Sequence, residues 1–212
     1  MAMGRPREFD AEKALDLALE LFWEKGYEGT SLNDLIEAMG INKPSLYAAF
    51  GGKEDLFFKA LERYQARLGA YAAPSLSLPS ARRGIEAFLR ALATFQSSPG
   101  TPQGCLLVQG ALAGSEDSKR VAKVLCEVRE SGVQMMRASL QRALEQGELP
   151  ADTDIDALAR YFGTVSQGIS VQAASGIPTR ELHKTIAIAM SSWPERRPAA
   201  SKQVKRKKAA TI

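Results

Sequence analysis

Histidine occurs once in this 212-residue sequence, at position 183, and cysteine only twice, at positions 105 and 126. A lone histidine and two widely separated cysteines exclude the HExxH and CxxC kinds of metal site and any disulfide framework, so no metal is expected. Also absent are a nucleophile elbow, a glycine-rich phosphate loop and a placed pair of carboxylates, so neither catalysis nor a cofactor is expected. The uncharged stretch 70–81 is broken by Pro74, Pro79 and serines, and no membrane span is expected. Arg5, Arg7, Glu8 and Asp10 precede the first leucine, Leu15, which does not fit a secretory leader, and the expected location is the reducing cytoplasm. What remains is ordinary globular usage. Hydrophobic residues make up 45% and charged residues 25%, enough to bury a core and too apolar for a wholly disordered chain.

Charge is spread unevenly. Residues 1–64 hold 8 Lys and Arg against 12 Asp and Glu, residues 65–194 hold 13 against 11, and residues 195–212 hold 7 against 1. The net charge of +4 therefore belongs to the tail, and any argument for a polyanionic partner has to rest on particular residues. Glu12, Asp16, Glu20 and Glu24 are expected along the outer side of the first helix, leaving Arg5 and Arg7 free ahead of it.

Apolar residues recur at i, i+3, i+4 and i+7 almost throughout, and no clean strand alternation appears, so the fold class is all-α. Asp10 is the expected N-cap of a first helix that ends at Gly26. Thr30 or Ser31 caps a second helix reaching Met39, and Gly40 supplies a tight exit. Asn42 caps a third, with Pro44 in its first turn. A long helix is expected over 53–71, a loop over 72–79, then helices over 80–96, 104–114, 118–146, 154–175 and 179–193. The domains expected are 1–52, a linking helix and loop 53–79, a helical domain 80–194 and a disordered basic tail 195–212.

Three short helices with a glycine turn between the second and third form the helix-turn-helix plan. Ile41, Leu46 and Phe50 would point inward from the third helix, which leaves Asn42, Lys43, Ser45, Tyr47, Ala48 and Ala49 outward. Two alanines on that face let the helix backbone approach another surface, and their methyls suit thymine methyls in a major groove.

The run Glu28-Gly29-Thr30-Ser31-Leu32, the run Ile41 to Phe50 (INKPSLYAAF) and Lys53-Glu54-Asp55-Leu56 resemble the DNA-binding domain of the TetR/AcrR family of transcriptional regulators. The resemblance covers about residues 7–57; the rest agrees in helix count, length and order. It implies a DNA-binding regulator of transcription, most simply a homodimeric repressor released from a palindromic double-stranded operator by a small-molecule effector. It further implies phosphate contacts from Thr30, Tyr47 and Lys53, and groove or phosphate contacts from Asn42, Lys43 and Ser45. Ala48 and Ala49 depart from the family, which often carries bulkier residues there. Tyr47 as packing, Thr30 as an N-cap and Lys53 as a solvated helix-start lysine are the structural alternatives.

By the same resemblance the second domain would bind the effector and form the dimer. Candidate pocket residues are Phe88, Leu92, Phe95, Cys105, Gln109, Met135, Met136, Tyr161 and Gln167. Cys105 begins an expected helix, where the N-terminal dipole would lower its pKa and make it reactive. The helix over 154–175 has an apolar face of Leu158, Phe162, Val165 and Ile169 and a small-residue face of Ala157, Thr164, Gly168, Val171 and Ser175. With Leu182, Ile186, Ala189 and Met190 of the last helix, it would make a four-helix dimer interface. The competing reading is a DNA-architectural protein without effector control, which the run Lys202 to Lys208 would serve as a salt-sensitive tether.

Overall fold

The computed structural model describes residues 9–109 and 118–195, which form helices and no strand. The helices are α1 (Ala11–Lys25), α2 (Leu32–Met39), α3 (Lys43–Phe50), α4 (Lys53–Ala72), α5 (Ala81–Gln96), α6 (Leu106–Gln109), α7 (Lys119–Glu145), α8 (Ile155–Ala174) and α9 (Thr179–Met190). None of them is long and apolar enough to cross a membrane. The segment expected as a loop after α4 carries a 3-10 turn, Ala73–Ser77, because Leu76 is buried there against α5. Of the expected helix over 104–114, Gly104 and Cys105 are not helical and Leu106–Gln109 form α6; residues 110–114, Arg5 and Arg7, and the basic tail from 196 onward lie outside the described residues.

Local signals set the helix starts. The Asp10 carboxylate accepts from the N–H groups of Glu12 and Lys13 at 3.0 and 3.1 Å, capping α1. Ala14, Ala18 and Phe22, spaced one turn apart, then bury one stripe, with Leu19 and Trp23 beside it. Ser31, not Thr30, caps α2, in a capping box with Asp34. Gly40 takes φ +65°, which a side chain would resist, and turns the chain into α3. A carboxylate from far along the chain caps α5: Glu148 accepts from the Ser80 hydroxyl at 2.7 Å and the Ala81 N–H at 2.9 Å.

Packing divides into two cores. The first joins α1–α4 to Cys105, Leu106, Leu107 and Val108 and to Val121 and Leu125 of α7. The second joins Leu76, α5, the later turns of α7, α8, α9 and Trp193. The N-terminal helices thus complete their apolar burial with residues more than forty positions away. Leu182, Ile186, Ala189 and Met190 also belong inside, since α9 lays them against its own chain; they are not free to face a partner.

Trp23 fastens the two parts. Its ring is 2% exposed and stacks on Phe95 at 5.5 Å, and its Nε1–H donates to the Gly104 carbonyl at 3.0 Å. Trp23→Phe would leave that buried carbonyl unpaired and part of the ring space empty. Urea unfolding should show a loss of about 2–4 kcal/mol; a loss under about 0.5 kcal/mol would show that the contact carries no stability.

Candidate nucleic-acid interface and internal cavity

α3 has one committed face and one open one. Leu46 and Phe50 are buried, as is Ile41 just ahead, while Lys43, Tyr47, Ala48 and Ala49 are exposed and Ser45 is half-buried. Tyr47 is 49% exposed, so it is not a packing tyrosine. Asn42 uses its side-chain oxygen to accept from the Ser45 N–H at 2.8 Å, which caps the helix while its amide N–H2 can still donate to another contact. The structure therefore brings Asn42, Lys43, Ser45, Tyr47, Ala48 and Ala49 to one surface.

Thr30 is not on it. Its side chain is fully buried and its hydroxyl donates to the Gly26 carbonyl at 2.7 Å, so the expected phosphate contact is corrected: the hydroxyl already has a partner under the start of α2. Lys53 stands at the first position of α4 with its ammonium 4.2 Å from the centre of the Tyr27 ring. Partial burial there lowers its pKa, with Glu28 and Asp34 acting in the opposite direction. A cation at a helix N-terminus is thus balanced by a ring face and nearby carboxylates as well as by any external anion. Asp34 itself is held at about 2, first by the Ser31 hydroxyl and N–H and then by Lys25.

The acidic residues of α1 are not simply turned outward. Glu12 and Asp16 both pair with Arg63 of α4, and Asp16 also pairs with Arg67 at 2.6 Å. Half of the acids expected on the solvent side are neutralised by the neighbouring helix.

Between α5, α6, α7 and α8 lies a cavity of about 90 Å³ with a mainly apolar wall. Of the nine candidates, Phe88, Leu92, Cys105, Met136 and Gln167 line it. Four do not. Phe95 is taken up by the rings of Trp23, Tyr64 and Tyr71, and Gln109 turns its amide N–H to the Gln103 carbonyl at 3.2 Å. Met135 and Tyr161 point outward, 44% and 39% exposed, from positions on α7 and α8 that the i+4 stripe does not include. Missed by the sequence reading were Gln96, Arg129, Ser166 and Ser170. Gln96 continues the buried series Ile85, Leu89 and Leu92, and Arg129 interrupts the series from Leu125 to Met136; a polar residue on an apolar stripe was the available signal.

Cys105 shows which of two electrostatic effects wins. Tyr64 donates its hydroxyl to the sulfur at 3.3 Å, and the N–H groups of Leu107 and Val108 also favour a thiolate. Burial outweighs them and pushes the thiol pKa up, so the expected activation by the helix N-terminus is corrected. Cys126 is exposed on α7. Under native conditions near pH 8, an uncharged maleimide should label Cys126 at least about tenfold faster than Cys105. Faster labelling of Cys105, read by mass spectrometry of peptides, would show that its surroundings open in solution.

Comparison with known proteins places these features among bacterial regulators. A family model described as "Bacterial regulatory proteins, tetR family" matches residues 14–60, and one described as "Tetracyclin repressor-like, C-terminal domain" matches residues 81–193. The chain is 36% identical over 198 residues to the HTH-type transcriptional repressor ComR of Escherichia coli (strain K12), covering 91% of this chain and 92% of that protein. It is 29% identical over 192 residues to the HTH-type transcriptional repressor BdcR of the same organism, covering 88% and 90% of the two chains. Its fold is similar, with a TM-score of 0.86 and 42% identity over 90% of this chain and 100% of the other, to a triple cysteine mutant of the TetR family transcriptional regulator CifR complexed with 26-base-pair operator DNA.

Proposed function

Because this chain belongs to the TetR family of bacterial regulatory proteins, we propose that it represses transcription as a homodimer on a palindromic operator and releases the DNA when a small molecule enters the cavity behind α6. The observation that carries this reading is the open face of α3. It presents a cation, two hydroxyls and two alanines on a helix whose opposite face is buried in the first core. Such a helix enters a major groove with small side chains against the bases and polar ones against the backbone. Lys43, Tyr47 and Lys53 are assigned phosphate contacts, Ser45 and the free Asn42 amide polar contacts, and Ala48 and Ala49 close packing on base edges.

An unpartnered surface on α8 and α9 supports the dimer. Val171 and Ile188 are 44% and 73% exposed, and Ala157, Thr164, Gly168 and Ser175 lie open on α8 beside them. Exposed apolar residues alternating with small ones suit a second pair of helices related by a twofold axis. The cavity favours effector control over a purely architectural role, because close-packed cores do not keep such a space without cost. The reading is of a binding protein acting in the cytoplasm rather than of an enzyme.

Two results test the reading. Footprinting on DNA upstream of the gene should show protection of an imperfect palindrome with half-sites about 34–36 Å or slightly more apart. Protection by a species that sedimentation shows to be monomeric would overturn the dimer. In binding titrations, Tyr47→Phe and Lys43→Ala should weaken operator and unrelated DNA alike, by about three- to tenfold, with Lys43→Ala lowering the salt slope by about one. Ala49→Leu should abolish operator binding or change its sequence preference; a change of preference in Tyr47→Phe would reverse the sorting of contacts.

A further inference from the structure

Two polar side chains in the cavity wall have hydrogen-bonding capacity that the folded chain leaves open. Gln96 is 1% exposed, and its side-chain oxygen has no hydrogen-bond partner. A buried acceptor left unpaired costs about 1–3 kcal/mol, so its position at the end of an otherwise apolar stripe calls for a partner from outside. Arg129 reaches the same cavity from α7. One of its N–H groups donates to the Leu107 carbonyl, and no carboxylate among the described residues pairs with it. Among the described residues of the cavity wall there is no Asp or Glu, while Leu92, Phe88, Val133 and Met136 make most of the remainder apolar.

These groups ask for complementary chemistry. The Gln96 oxygen needs a donor, and the guanidinium needs an anion able to meet its remaining N–H groups. The volume sets the size. A cavity of 150 Å³ is known to hold benzene, with its six non-hydrogen atoms, so about 90 Å³ admits a smaller ligand, of roughly four or five, without rearrangement.

We propose that the ligand of this cavity is a short-chain hydroxy acid, its carboxylate paired with Arg129, its hydroxyl donating to Gln96 and its few carbons against the apolar wall. This rests on the effector reading of the same cavity. It also supplies a route for release. A carboxylate at the remaining N–H groups of Arg129 draws the guanidinium toward the cavity, and the Leu107 carbonyl it holds belongs to α6, which follows the Gly104 carbonyl that holds Trp23 of α1. Loosening α6 therefore acts on the helix against which the nucleic-acid-binding helices pack.

The test uses glycolate and its one-carbon-larger homologue lactate, each compared with the acid lacking the hydroxyl (acetate, propionate) and with its own neutral amide. Binding to the full chain is read by calorimetry, and release is read separately by fluorescence anisotropy on the footprinted DNA. At least one hydroxy acid should bind tenfold or more tighter than both of its comparators. Arg129→Gln should remove the preference over the amide. Gln96→Leu, which removes the unpaired acceptor and should fold at least as stably, should remove the preference over the unhydroxylated acid. No preference in the parent protein, or a preference unchanged in both variants, overturns the ligand class while DNA binding is intact. A preference that follows the two side chains while anisotropy stays unchanged upholds the ligand class and overturns release from this site.

Discussion

The hydrogen bond from Trp23 to the Gly104 carbonyl ties the part that faces DNA to the part that holds the cavity. Without it, the contact of α1 with α6 would be an apolar one, which has no direction and tolerates sliding. With it, one atom of α1 is fixed to the residue before Cys105, and the Trp23, Tyr64 and Phe95 rings close around that point at centroid distances of 4.8 to 6.1 Å. Those three rings come from α1, α4 and α5. A shift of α6 cannot be absorbed locally, because Leu106 is fully buried in the same core as Leu19 and Leu56.

Polar contacts then fix the orientation of α1 against α4. Arg63 binds the Glu12 carbonyl and carboxylate and the Asp16 carboxylate, and Arg67 joins at Asp16. These side chains are partly exposed, so each pair is worth little as stability. Their geometry matters more. A guanidinium shared between two turns of α1 resists rotation of that helix, and the charges of Glu12 and Asp16 are met within the chain.

Much of this was legible from residue order. Helix starts at Asp10, Ser31, Asn42 and Asp154 follow from short polar side chains placed ahead of apolar periodicity, a rule acting over three or four residues. The outward face of α3 followed equally well, since the burial of Ile41, Leu46 and Phe50 is a matter of helical spacing. Thr30 and Ser31 were not separable that way; adjacent hydroxyls both fit a cap, and only the Gly26 carbonyl beneath Thr30 decides between them. Cavity residues were the hardest. Phe88 and Phe95 sit on the same helix with the same chemistry, and which one meets open space depends on Trp23, a residue about seventy positions earlier.

The survival of the cavity in a close-packed interior has a local cause in two glycines. At Gly163 a Cβ would come within 2.7 Å of a Val133 methyl, so glycine lets α8 lie directly on α7. Gly132, one residue before Val133, is different: a Cβ there would meet nothing within 4 Å, and the residue lines the cavity. Glycine inside a helix costs about 1 kcal/mol relative to alanine, so nothing in packing favours it at position 132. Close approach on one side and open space on the other hold the helices together around a void instead of letting them collapse into it. Arg129, one turn earlier on α7, lines the same void and donates to the Leu107 carbonyl. A negative group that enters would meet the guanidinium beside a largely apolar wall, where the pair is less screened than in bulk water.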